Sequence, residues 1–142
     1  MTTESTTPRV VLITGGSRGI GLACARHFAA LGDHVAVTYN SSPPPGEFFA
    51  VKCDVTNNED VDNAFKAIEE KFGPVQILVS NAGITRDGLL LRMGEDDFAS
   101  VIDANLTAAY RVCKRATQGM LRARSGRIIL MSSVVALLGS AG

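Results

Sequence analysis

Val10-Val11-Leu12-Ile13-Thr14-Gly15-Gly16-Ser17-Arg18-Gly19-Ile20-Gly21 is the stretch that decides how this chain is read. Four apolar residues of strand type run straight into a glycine-rich turn, and apolar residues at helical spacing follow from Leu22 to Leu31. Glycines let a backbone turn tightly and approach a ligand with no Cβ in the way. The free N–H groups and positive dipole end of the helix that follows favour an anion. The stretch therefore predicts a strand, then a phosphate cradle made by Gly15, Gly16, Ser17, Arg18, Gly19 and Ile20, then a helix. A pyrophosphate suits such a cradle, so the chain is expected to bind a dinucleotide.

Outward from this turn, short apolar runs alternate with helical periodicity. They predict strands over 9–14, 34–39, 48–53, 75–80 and 127–132, helices over 19–31 and 58–72, and a long helix within 95–123. That alternation implies an α/β fold, a doubly wound parallel sheet covered on both faces. Gly32, Gly73-Pro74 and Gly126 stand where helices should stop. One connection is unusual. About nine residues separate the second and third strands, and Pro43-Pro44-Pro45 among them cannot sit in a helix, so a tight extended crossover is expected there.

With 142 residues, 46% of them hydrophobic, the chain has material for one domain with an ample core. Fourteen basic and fourteen acidic side chains cancel, and no basic run with interleaved aromatics occurs, which argues against nucleic acid as a partner. The polar start lacks a basic and then apolar leader pattern, and no apolar stretch approaches the ~20 residues of a membrane span. The expectation is a cytoplasmic protein with no membrane association, a mobile tail over 1–8 and a single domain over 9–142. Cys24, Cys53 and Cys113 are odd in number and far apart, and His27 and His34 have no partner motif, so free thiols and no metal are expected.

The glycines of the turn, Gly15, Gly19 and Gly21, are spaced by four and then two residues, unlike the general dinucleotide fingerprint. That spacing resembles the short-chain dehydrogenase/reductase family, and three further segments match it in order: Cys53-Asp54-Val55, Ser80-Asn81-Ala82-Gly83 and the strand ending Met131-Ser132-Ser133. In detail the chain looks most like the 3-oxoacyl-[acyl-carrier-protein] reductases of fatty-acid synthesis. The likeness lies in Gly83-Ile84-Thr85-Arg86-Asp87, Leu89-Leu90-Leu91-Arg92-Met93 and Asn105-Leu106-Thr107. The resemblance implies a Rossmann fold with strand order 3-2-1-4-5. It also implies a cofactor lying across the carboxyl ends of the strands, at the switch between the first and the fourth.

NAD-selective sites carry an acid about 20 residues beyond the glycines, for the ribose 2′-hydroxyl. Here that place holds Thr38-Tyr39-Asn40-Ser41, and nothing repels a 2′-phosphate. Arg18 can pair with one, with Asn40, Ser41 and Ser42 as neutral donors, so NADPH is the expected cofactor; the competing reading makes Arg18 a solvated loop charge. By resemblance, Asp54 accepts a hydrogen bond from the adenine amino group with the Val55 backbone beside it, although Asp54 also suits a helix cap. Asn81, Ala82 and Gly83 follow a strand where the nicotinamide ribose needs small residues close by, and Asn81 can equally tie strand ends together.

The implied chemistry is carbonyl reduction. Resemblance gives Ser133 the substrate carbonyl and Asn105 the support of a water relay, against bland readings as a turn residue and a solvated helical amide. Relatives carry Tyr-x-x-x-Lys about thirteen residues beyond that serine, a place about four residues past Gly142. This leads to the expectation of an incomplete reductase copy, inactive by itself, with the fifth strand as an unprotected apolar edge. Tyr110-Arg111-Val112-Cys113-Lys114 fits the motif only in letters. Tyr110 precedes Ser133 and lies roughly 140° around a helix from Asn105. Arg122, Arg124 and Arg127 cluster before the last strand, and Arg124 either contacts an acidic acyl carrier protein or is solvated. A full-length relative is expected to be a homotetramer. The alternative to the reductase is a non-catalytic nucleotide-binding or interaction module of the same fold.

Overall fold

The computed structural model describes residues 7–140. The tail expected over 1–8 therefore lies outside the described residues except for Thr7 and Pro8, both exposed. The chain forms β1 (Val10–Ile13), α1 (Gly19–Ala30), β2 (His34–Tyr39), β3 (Phe49–Lys52), α2 (Asn58–Phe72), β4 (Ile77–Ser80), α3 (Glu95–Ile102), α4 (Ala108–Ala123), β5 (Arg127–Leu130) and α5 (Val135–Leu138). A short 3-10 turn, Leu90–Arg92, precedes α3, and a π-helical turn, Asp103–Thr107, joins α3 to α4. The strands make one parallel sheet in the order β3-β2-β1-β4-β5. This is the doubly wound Rossmann topology that the sequence predicts.

All four residues of β1 are buried because both faces of the sheet are covered there. Successive side chains point to opposite faces. Val10 and Leu12, with Ala36 and Leu78, meet Ala64, Phe65 and Ile68 of α2 and Val112, Ala116 and Met120 of α4. Val11 and Ile13, with Val35, Val37 and Val79, meet Ala25 and Phe28 of α1. Full burial of each large apolar side chain contributes about 1.5–3 kcal/mol, and these two layers hold the strand ends in fixed relation. At the other edge every residue of β5 is exposed, with Ile129 at 42% and Leu130 at 57%.

Helix ends follow their local chemistry with one exception. The side chain of Asn57 caps α2 by accepting hydrogen bonds from Glu59 N (2.8 Å) and Asp60 N (3.1 Å). Gly32 and Gly73 follow α1 and α2 with positive φ, as expected. Gly126, however, does not end α4. The helix stops at Arg124, which adopts the left-handed conformation (φ 50°, ψ 28°) at a cost of roughly 1–2 kcal/mol. Ser125 N then donates to Met120 O at 3.1 Å and Arg124 N to Leu121 O at 3.2 Å. Gly126 instead lies under Met120, where a Cβ would overlap that side chain.

The crossover from β2 to β3 contains no helix, as the three prolines require. Arg26 of α1 pairs with Glu47 at 2.7 Å and ties this crossover to the body of the fold. The long helix expected within 95–123 is present but interrupted by the π-helical turn, which the apolar pattern does not announce. Among the described residues no helix is long and apolar enough to cross a membrane.

Candidate nucleotide-binding site

At the carboxyl ends of β1 to β4 the chain leaves a groove of about 870 Å³, within the range of small-molecule sites. One wall is the turn after β1. Gly15 has φ +66°, and a Cβ there would come within 2.9 Å of the Ala82 Cα, so this turn and the segment after β4 touch backbone to backbone. Gly21 is held as tightly, since its Cβ would strike the Gly15 carbonyl. The amide of Asn81 closes the junction by donating to Thr14 O (3.1 Å) and Gly15 O (3.0 Å).

Helix α1 opens on this groove. Its first flanking residue, Arg18, is extended (φ −158°, ψ 175°), no side chain caps the helix, and no acid stands in its first turn. Uncapped N–H groups and the positive dipole end at one place favour an anion. Ser17, Arg18, Gly19 and Ile20 line the groove beside them. The residues present therefore fit a pyrophosphate, as does the absence of a Cβ where the backbone must come close.

The far end of the groove is formed by Thr38 to Ser42 and by Cys53 to Thr56. Asp54 does not cap α2, a task that Asn57 performs. Its Oδ1 instead accepts from the Thr56 hydroxyl (2.6 Å) and the Thr56 N–H (2.9 Å). The hydroxyl bond above all, and then the N–H bond, hold the Asp54 carboxyl below the ordinary carboxylate value, and the positive charge of Arg111 acts in the same direction. Cys53 beside it is 4% exposed, and burial, with the charges of Asp60 and Asp54, pushes its thiol up to about 12. It is a packed thiol. Cys24 and Cys113 are free and partly buried.

At the other end a smaller cavity of about 460 Å³ is lined by Arg18, Asn81, Gly83, Ile84, Arg86 and Asn105, among others. The Asn105 residue is exposed, yet its side-chain amide is engaged on both sides. Its Oδ1 accepts from Ile84 N (3.2 Å) and its Nδ2 donates to Ile84 O (2.8 Å) and Val101 O (2.9 Å). The amide thus fixes the segment after β4 to the π-helical turn, and Gly83 is required beneath it because a Cβ would overlap the Asn105 Oδ1.

The fold brings Gly15, Ser17, Arg18, Gly19, Ile20, Asn40, Asp54, Val55, Asn81, Ala82 and Gly83 to one groove, with Asn105 at its end. Gly16 is not part of the lining. It is buried against Val37, 2.6 Å from where its Cβ would lie, and its N–H donates to Thr38 O at 2.9 Å. Ser133 also stands apart, three residues beyond β5, where its Oγ accepts from Val135 N at 3.2 Å. Arg124 is exposed at the end of α4. Tyr110 is 62% exposed with Lys114 Nζ 5.7 Å over its ring, outside both cavities. Sequence reasoning gives Thr14, Thr56 and Arg86 no part in the site. Only the position of Thr56 two residues after Asp54 offers a local signal.

A parallel sheet with a glycine turn, an uncapped helix start and a groove across its carboxyl edge is the architecture of the doubly wound α/β proteins, whose ligands sit at that edge. The chain matches the short chain dehydrogenase family over residues 9–142, and it belongs to that family. It is 53% identical over 131 residues to the 3-oxoacyl-[acyl-carrier-protein] reductase MabA of Mycobacterium avium, covering 92% of this chain and 51% of that protein. Against the MabA of Mycobacterium tuberculosis (strain ATCC 25618 / H37Rv) it is 54% identical over 126 residues, 89% of this chain and 51% of the relative. The 3-oxoacyl-[acyl-carrier-protein] reductase FabG of Vibrio cholerae is 42% identical, with 94% and 58% covered. The chain thus spans about half the length of the curated relatives it matches.

Proposed function

We propose that this chain carries the cofactor-binding fold of an NADPH-dependent 3-oxoacyl-[acyl-carrier-protein] reductase, which converts a carrier-bound 3-oxoacyl thioester to the 3-hydroxyacyl thioester in fatty-acid biosynthesis. The observation that carries the reading is the charge of the groove. No carboxylate stands at the end of β2, where Thr38, Tyr39, Asn40 and Ser41 are found, while Arg18, from the turn after the neighbouring β1, lines the same groove. The names of the relatives support the substrate class.

In this reading the start of α1 receives the pyrophosphate, Arg18 and Asn40 the 2′-phosphate, Asp54 and the Val55 backbone the adenine, and Asn81, Ala82 and Gly83 the nicotinamide ribose. The bound cofactor supplies hydride to the ketone carbon. Ser133 holds the substrate carbonyl, and the turn around Asn105 supports a water relay. Arg124 meets the acidic carrier protein, and the active assembly is a cytoplasmic homotetramer. Protonation of the alkoxide calls for a general acid. The chain has two tyrosines, Tyr39 at the end of β2 and Tyr110 on the outer surface of α4. Neither lines the cavity at Asn105, so the 142-residue chain binds cofactor without turning over.

Titration of NADPH and NADH, followed by cofactor fluorescence, tests the reading. NADPH should bind at least ~tenfold tighter, and Arg18→Ala should remove most of that preference. Equal or tighter NADH binding would refute it. Steady NADPH oxidation with acetoacetyl thioester by this chain, abolished by Tyr110→Phe, would overturn the exclusion of Tyr110. One observation favours a second reading, a non-catalytic nucleotide-binding module: the Ser133 hydroxyl is engaged by Val135 N and lies outside the groove. The module predicts cofactor binding with no ketone reduction even in a full-length protein, whereas the reductase predicts a turnover in the full-length protein that Ser133→Ala lowers ~10²-fold or more.

A further inference from the structure

We propose that Thr56 is the positioning residue for base recognition: its hydroxyl locks the Asp54 carboxylate so that the groove selects adenine over a 6-oxopurine. The inference rests on the nucleotide reading above. Thr56 donates twice to one oxygen of Asp54, from its hydroxyl at 2.6 Å and its N–H at 2.9 Å. The Asp54 N–H in turn donates to Asp60 Oδ2 at 3.0 Å, which fixes the backbone on the near side. Oδ1 is occupied by these bonds, and Oδ2 has no hydrogen-bond partner among the described residues. Asp54, Val55 and Thr56 all line the groove.

An acceptor held in one orientation reads a donor. Adenine presents its amino group as a donor beside an acceptor ring nitrogen, and hypoxanthine presents the reverse, an acceptor oxygen beside a ring N–H. A carboxylate free to swivel about its own bond can turn away from the oxygen of hypoxanthine and discriminates weakly. One that is clamped at Oδ1 cannot, and the mismatch leaves two acceptors facing each other. Discrimination of this kind grows with how firmly the polar group is held. Thr56 therefore acts on the base through Asp54 and touches no reacting atom.

Calorimetric titration of the chain with NADP and with its hypoxanthine counterpart, deamino-NADP, tests this. The native chain should favour NADP at least ~tenfold. Thr56→Val, which keeps the shape and removes the hydroxyl, should weaken NADP about tenfold, leave deamino-NADP within about twofold, and so collapse the ratio. Thr56→Ser should restore the ratio to within about twofold of native. Equal weakening of both ligands, or an unchanged ratio, would make Thr56 merely structural and overturn the inference while leaving the cofactor reading in place. Thr56→Ala serves if the valine variant does not fold, and failure of both to fold also assigns Thr56 to the fold and overturns the inference. Absence of binding by either dinucleotide to the native chain would instead overturn the cofactor reading itself.

Discussion

The hydroxyl of Thr14, 2% exposed, accepts hydrogen bonds from the backbone N–H groups of Asn81 (3.0 Å) and Ala82 (3.1 Å), 67 and 68 residues further along the chain. The Asn81 amide answers by donating to the Thr14 and Gly15 carbonyls. These reciprocal bonds join the end of β1 to the end of β4 at the place where the sheet changes direction, and the two walls of the groove are set by them. Thr14→Val leaves two half-buried N–H groups without an acceptor and should cost about 1 kcal/mol or more, with weaker cofactor binding. Thr14→Ser should recover most of both, as read by thermal denaturation and titration.

Gly21 tolerates no side chain. A Cβ there meets the Gly15 carbonyl and comes within 2.6 Å of Asn81 Nδ2. Gly21→Ala should force the glycine turn off the β4 segment, lowering stability by about 2 kcal/mol or more and cofactor affinity at least ~tenfold. Full affinity in this variant would show that the turn is not part of the binding wall.

Cys53 gives the chain an alkaline limit. Its thiol is raised to about 12 in the fold, chiefly by burial, while in the unfolded chain it returns to about 9. Above the unfolded value the unfolded state loses a proton that the native state keeps, so this contribution is complete below about pH 9 and is lost as the pH rises toward about 12. Denaturant melts should show stability falling across that window, and Cys53→Ala should flatten the fall. In the native state iodoacetamide should modify Cys24 and Cys113 before Cys53, a sequence that mass spectrometry reads directly.

Arg115 holds α4 to α2. Its guanidinium reaches Asp62 (2.8 Å) and both oxygens of Glu69 (3.0 and 2.7 Å), and lies 5.0 Å from the centre of the Phe65 ring. The side chain is only 16% exposed, so this contact is screened less than a surface pair. Arg115→Ala should destabilise the chain by about 1–2 kcal/mol, and Arg115→Lys should recover less than half of that, because an ammonium cannot fork between two carboxylates. Chemical denaturation of the three proteins checks it.

Much of the fold is legible in the sequence because it rests on local rules. Short continuous apolar runs and period-3.6 apolar patterns name the strands and helices, and Pro43-Pro44-Pro45 rules a helix out of the β2–β3 crossover. Tyr110 lies outside both cavities, but the turn that carries Asn105 is π-helical, so the angle between the two is not the one a regular helix gives. Other details follow from contacts between segments. The end of the long helix at 123 is as expected, but the left-handed residue that closes it is Arg124, while Gly126 packs under the Met120 side chain. Gly16 looks like cradle and is tucked against Val37 of the neighbouring strand.

The same division runs through the site. Residue order along the chain determines which groups arrive at the carboxyl edge of the sheet, since each motif follows a strand and parallel strands all end on one side. What each group does once there depends on partners distant in sequence. Nothing in the sequence shows what the Asn105 amide bonds to, and in the fold it is the backbone of Ile84, 21 residues earlier. In the sequence Asp54 also suits a helix cap, and in the fold Asn57 takes that cap. Apolar periodicity is a one-dimensional signal of burial, and it carries the architecture. Hydrogen-bond direction and steric contact between segments are three-dimensional, so only the folded chain decides that Thr14 joins two strand ends and that Thr56 holds Asp54.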